Sequence, residues 1–184
     1  MKIRNLIFLA VFATGFVACD ELEEASTIVV STKFDIEVPV APDQNVSVAL
    51  KSVSADEEHL FSGQADFNLA NNPDLAASVN KIKSLVLNGG SVDVPQLSSP
   101  NEILTMTIEV YLGTQKIVGL TKTNLTASSN TFTSEDIAAL TALQNQLSSA
   151  PGETYTFKLN GKANYPVDTT VKVKFNSDVK ASIL

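Results

Sequence analysis

The chain has 184 residues, 44% of them apolar, and sets 13 basic side chains against 20 acidic ones for a net charge of −7. One cysteine, one histidine and no tryptophan exclude a disulfide framework, a cysteine zinc site and any nucleophile triad not built on His59. The acidic balance makes nucleic acid a poor partner.

Lys2 and Arg4 lead into an apolar run from Leu6 to Ala18, interrupted only by Thr14 and Gly15. This is the layout of a secretory signal peptide. The run falls short of the roughly 20 residues that span a bilayer, and it stops at Asp20-Glu21-Leu22-Glu23-Glu24. Phe16-Val17-Ala18-Cys19 resembles the lipobox of bacterial lipoproteins, in which a peptidase cuts before a cysteine whose sulfur carries diacylglycerol. The resemblance covers the signal region alone. It implies that residues 1–18 are removed, that Cys19 is lipidated, and that the protein is anchored in the bacterial outer membrane. Cleavage after Gly15, leaving Cys19 as a stray thiol, is the alternative. The acidic cluster resembles the export signal that carries some lipoproteins to the cell surface; a solvated linker is its plain alternative.

The 165 residues after Cys19 suit one domain. Without Lys2 and Arg4, 11 basic residues face 20 acidic ones, a net charge of −9. Residues 19–27 are expected to form the lipidated cysteine and acidic tether, and residues 28–184 a single domain. Fully extended, Asp20 to Thr27 reach at most about 29 Å, so the domain is expected close to its membrane.

Phe34, Ile36, Val38 and Val40 alternate with Lys33, Asp35, Glu37 and Pro39, the period of a half-buried strand. Pro42 to Asn45 supply a turn, and Val46, Val48 and Leu50 resume the alternation. After a polar stretch from Ser54 to His59, Phe61, Gly63, Ala65, Phe67 and Leu69 share a face. Asn72-Pro73-Asp74 predicts a helix start and a short helix over 73–81. Asn88-Gly89-Gly90 predicts a hairpin turn within 83–94. Leu104 to Leu112 alternate cleanly, and Gly113-Thr114 turns them back into 115–123.

Thr133-Ser134-Glu135-Asp136 offers caps and first-turn carboxylates ahead of Ile137, Leu140, Leu143 and Leu147, predicting an amphipathic helix ended by Pro151-Gly152. Two last strands follow, with Tyr155 to Tyr165 and Val171 to Ile183 in alternation, expected to pair as a hairpin through Pro166-Val167-Asp168. About eight strands and two short inserted helices predict an all-β fold, an antiparallel β-sandwich.

That hairpin would place Lys158, Lys162, Lys172 and Lys174 on one polar surface, with Lys158 opposite Lys174 or Lys162 opposite Lys172. Like charges so placed need compensation. It comes either from Asp35 and Glu37 on a neighbouring strand or from an anionic ligand such as an acidic polysaccharide or lipid headgroup. Tyr111 is the one ring expected on a polar face, a thin basis for sugar binding. Asp168-Thr169-Thr170 resembles the sequon for O-glycosylation of exported bacterial proteins and would put glycan on Thr169; Asn45-Val46-Ser47 and Asn124-Leu125-Thr126 match the N-glycosylation pattern.

No phosphate loop, zinc spacing, calcium loop or nucleophile elbow occurs, so neither an enzyme nor a cofactor or metal protein is expected. The reading is an anchored envelope lipoprotein with a structural or binding role toward an envelope protein or polysaccharide. Its alternative is a carrier or sensor of an apolar molecule held between the sheets or beneath the helix. A third reading, a divergent hydrolase, needs carboxylates converging with His59.

Overall fold

The computed structural model describes residues 27–43 and 58–182; the Pro42–Asn45 turn, the Val46–Leu50 alternation and most of the 54–59 stretch therefore lie largely or wholly outside the described residues, as do the signal region, Cys19 and the acidic cluster. Its strands are β1 (Thr27–Pro42), β2 (His59–Phe67), β3 (Ile82–Asp93), β4 (Ile103–Leu112), β5 (Gln115–Leu125), β6 (Ser129–Thr131), β7 (Tyr155–Ala163) and β8 (Thr169–Ser182), with one α-helix, α1 (Ile137–Ser149). The fold is all-β and antiparallel. Hydrogen bonding runs through one sheet in the order β5-β4-β7-β2-β1-β8-β3-β6.

Two four-stranded ladders make up that order, and among the described residues they join where Val40, Ala41 and Pro42 face Gly63, Ser62 and Phe61, beside the Asp43 amide that donates to the Leu60 carbonyl. The sheet folds back on itself at this corner. Phe157 on β7 and Phe175 on β8 are three strands apart in the order, about 14 Å in a flat sheet, yet their ring centroids lie 6.3 Å apart. The sandwich is thus made by one curled sheet.

Alternation sets what fills it. Along β1, Thr32, Phe34, Ile36, Val38 and Val40 are buried while Lys33, Asp35, Glu37 and Pro39 are exposed. On β8, Val171, Val173, Phe175, Val179 and Ala181 point into the same core. Gly161 on β7 is required by close approach: a Cβ there would stand 2.3 Å from the Phe61 ring and 2.6 Å from the Thr105 carbonyl.

Helix α1 seals the side opposite the corner, packing against both β3 and β5. Leu140, Leu143 and Leu147 are its buried residues, whereas Ile137 stays 58% exposed. The expected cap is a capping box between Thr133 and Asp136, with the Thr133 amide donating to Asp136 Oδ2 at 2.7 Å. At the far end the Tyr155 hydroxyl reaches the carbonyls of Gln146 and Ala150 at 3.0 and 2.9 Å. The helix also covers a sheet edge. The Leu85 amide donates to Ser148 Oγ (3.1 Å) and the Leu87 amide to Gln144 Oε1 (3.0 Å), so two backbone donors of β3 find side-chain partners where no strand lies beside them.

Three expectations are corrected. The segment 83–94 is no hairpin: β3 crosses it as one strand, and Gly89, at φ +136°, sits at a bulge rather than a turn. Gly90 lies so close to β8 that a Cβ would meet the Lys174 carbonyl at 2.0 Å. Residues 73–81 form turns and a 3-10 turn (Val79–Lys81) in place of an α-helix. The Asn72 side chain does accept the Asp74 amide at 2.9 Å, but a segment of nine residues is too short to offset the cost of helix nucleation on its own. Burial of Leu75 and Val79 fixes the turns instead.

The third concerns β7 and β8, which do not pair. β7 lies between β4 and β2, and β8 between β1 and β3. Both are interior strands, so each finds two partners and the connection 164–168 carries the chain across from one ladder to the other. Buried Val167 pins it, and the Asn164 side chain accepts the Glu102 amide (2.8 Å) and donates to the Pro100 carbonyl (2.9 Å). The Gly113-Thr114 turn holds as expected, with Gly113 at φ +59° between Leu112 and Gln115.

A Gly161→Ala substitution should lower stability by about 1–3 kcal/mol, because Phe61 or β4 must move to admit one methyl group. Urea unfolding monitored by near-ultraviolet circular dichroism reads this as a lower midpoint at unchanged slope.

Candidate functional site

Pro39 decides where the sheet opens. Its ring removes an amide proton, so β1 cannot donate to a neighbour there, and the β1–β2 ladder ends at Val40 and Gly63. Both strands nonetheless continue. β1 is backed by β8 through the whole of Thr27–Val40, and β2 by β7 through Phe67. Between the two diverging strands lies a cleft of about 340 Å³.

The floor of the cleft is apolar: Phe34 and Phe67 meet with ring centroids 5.5 Å apart, and Ile36 lies beside them. Asp35, Glu37 and Asp66 stand on its walls with Lys33 as the one cation. Asn72 closes the lower end, donating from Nδ2 to the Lys33 carbonyl at 3.1 Å and to Thr32 Oγ1 at 3.3 Å. Thr32 in turn donates to Asp74 at 2.7 Å. A second concavity of about 330 Å³ lies on the outer face across Lys33, Asp35, Gly90, Ser129 and Lys174. Both are surface features with charged walls, unlike the enclosed apolar chamber a carrier would need.

The four lysines separate into two pairs with β2 and β1 between them. Lys172 binds Glu37 at 2.7 Å and Lys174 binds Asp93 at 2.6 Å. In register, Asp35 faces Lys174 and Glu37 faces Lys172. Lys162 binds Glu58 at 2.8 Å, and Lys158 lies over the Tyr111 ring, 4.7 Å from its centroid. Each cation is met by a carboxylate or a ring. The Lys172 hydrogen bond holds the Glu37 carboxyl below its ordinary range, and the Asp93 hydrogen bond raises Lys174. Tyr111 does face outward, but its hydroxyl donates to Glu109 at 2.9 Å and Lys158 covers its ring.

Thr169 opens β8 opposite Val40 and is half-buried. Asn124 is exposed at φ +54°, and Asn45 lies outside the described residues. His59 begins β2 opposite Ala163 rather than ending a loop. Among the described residues, no three His, Cys, Asp or Glu side chains gather as metal ligands, and no helix is long and apolar enough to cross a membrane.

Among the described residues, one ion pair is enclosed. Lys122 on β5 meets Asp136 at the start of α1, with side chains 11% and 7% exposed, and Lys122 also lies 5.4 Å from the centroid of the Phe132 ring. Burial pushes the Asp136 carboxyl up, but hydrogen bonds from Lys122 and from the Thr133 amide and hydroxyl outweigh it and hold the group below the ordinary aspartate value.

The sequence matches no family model and no curated protein. A solved structure from Desmodium yellow mottle tymovirus aligns over 86% of this chain and 90% of its own, at 10% identity and a TM-score of 0.35.

Because the folded pKa of Asp136 is depressed, its contribution to stability is complete above the unfolded value near 4 and disappears as pH falls through the lower folded one. Lys122→Met should therefore cost about 3 kcal/mol at pH 7, where the carboxylate is left buried without its partner. It should cost much less near pH 3, where protonation removes the buried charge. Thermal melts of both proteins across pH 3–7 measure the convergence.

Proposed function

We propose that the chain is a lipoprotein of the bacterial outer membrane, lipidated at Cys19, whose β-domain serves a structural or binding role toward an envelope protein or polysaccharide. The supporting observation is how near Cys19 lies in sequence to the first described strand. β1 begins at Thr27 and is paired with β8 from its first residue, Thr27 facing Ser182. Seven residues, 20–26, lie between Cys19 and that ladder, so the eight residue steps from Cys19 to Thr27, fully extended, hold the domain within about 29 Å of the lipid.

The tether runs directly into the β1–β8 ladder, which is continuous from Thr27 to Val40. The net charge of −9 on the processed chain turns the domain away from nucleic acid. The acidic residues 20–24 fit display on the cell surface, and Thr169 is the position proposed for an O-linked glycan.

Expressed in its bacterial host, the wild-type protein should partition with membranes and show, by intact mass, a diacylglyceryl-modified Cys19 at the processed N-terminus. Cys19→Ala should abolish that modification and move the folded domain out of the membrane fraction. Processing at Cys19 with no lipid mass, or retention of the variant in membranes, contradicts the anchor.

A further inference from the structure

We propose that the cleft between β1 and β2 binds an extended polypeptide segment of alternating apolar and cationic residues, which adds as a strand to the open edge of β1. The proposal goes beyond the lipid anchor and does not depend on it. The direction of the β1 backbone decides which of its polar groups are free. Successive residues of a strand turn their amide and carbonyl groups to opposite edges. The Thr32 carbonyl is reached by Ser177 of β8 at 3.3 Å, and the Lys33 carbonyl from the opposite side by Asn72 at 3.1 Å. Further along, the Asp43 amide donates to the Leu60 carbonyl of β2 at 2.9 Å. Odd-numbered residues of β1 thus face β2, even-numbered ones β8.

Asp35 and Glu37 fall on the β2 side, at the level where β2 has diverged. Among the described residues, no backbone partner reaches their amides or carbonyls across the cleft. Two donors and two acceptors line one wall at strand spacing, on a strand held straight from behind by β8. Such an edge is a template for strand addition.

The other edge of β1 shows what the strand accepts. There it pairs with Val171-Lys172-Val173-Lys174: Val173 stands opposite Ile36, Lys172 opposite Glu37 and Lys174 opposite Asp35. A segment on the open edge meets the same alternation. Its inward side chains would rest on the Phe34–Phe67 floor, and its outward ones would lie between Asp35 and Glu37 on one wall and Asp66 on the other. Glu37 is already bound by Lys172 and Asp35 faces Lys174 from the β8 side, so the pull on outward cations comes chiefly from Asp66, on the wall that has no lysine, and from Asp35, which a second cation can share.

The test uses the processed chain, Cys19 to Leu184, in detergent micelles, and a fluorescent peptide with the sequence of residues 171–176, Val-Lys-Val-Lys-Phe-Asn. Fluorescence anisotropy should show saturable binding. N-methylation of the alternate amides that would face β1 should weaken it by about tenfold, the loss expected for one or two hydrogen bonds. A scrambled peptide of the same composition should bind at least as poorly, and Asp66→Lys, at an exposed wall position, should weaken the parent peptide several-fold. No saturation, or equal binding of the parent, N-methylated and scrambled peptides, overturns strand addition; equal binding of the three marks charge attraction alone. The N-methyl comparison runs on the wild-type chain, so a folding defect in Asp66→Lys leaves it decisive. None of these outcomes bears on whether Cys19 carries lipid.

Discussion

A missing amide proton at Pro39 shapes more of this domain than any single contact. β1 and β2 are the strands at which the two ladders meet, and among the described residues the link between them is three residue pairs long. Had that ladder continued, Asp35 and Glu37 would have been sealed into the sheet. Instead the strands part, the sheet turns a corner, and an edge opens in the middle of the fold rather than at its rim. The true rim is protected differently, by Ser148 and Gln144 of α1 on the exposed amides of β3.

The curled sheet also explains the charge pattern. A local hairpin of β7 on β8 would have set lysine against lysine, a repulsive register. Separating the two strands places Lys172 and Lys174 between carboxylates of β1 and β3, while Lys158 and Lys162 find Tyr111 and Glu58. These exposed pairs contribute little to stability individually, because solvent screens them, and their effect is on which strands lie side by side. The enclosed Lys122–Asp136 pair differs, because it fastens α1 to β5 at the seam where the curled sheet closes.

Much of the fold was legible in the alternation. β1, β4, β5, β7, β8 and α1 lie close to where period and capping residues placed them, since each depends on a local pattern of one apolar face. Glycine is opaque where its role is nonlocal: Asn88-Gly89-Gly90 has the composition of a turn, but Gly90 is there because the Lys174 carbonyl of β8 leaves no room for a Cβ, a fact no neighbouring residue reveals. Strand pairing was likewise hidden, since the partners of β8 lie more than 80 residues away along much of its length. The cleft had one visible signal. Pro39 interrupts an otherwise regular strand, and an interior strand tolerates proline only where its ladder stops.

β1 is covered along one edge and open along the other, and amide hydrogen exchange resolved by residue tests that directly. The amides of Phe34, Ile36 and Val38, which face β8, should be strongly protected, and those of Asp35 and Glu37 should exchange orders of magnitude faster within the same strand. Equal protection of all five would mean that the β2-side edge is covered, contradicting both the open cleft and the strand addition built on it.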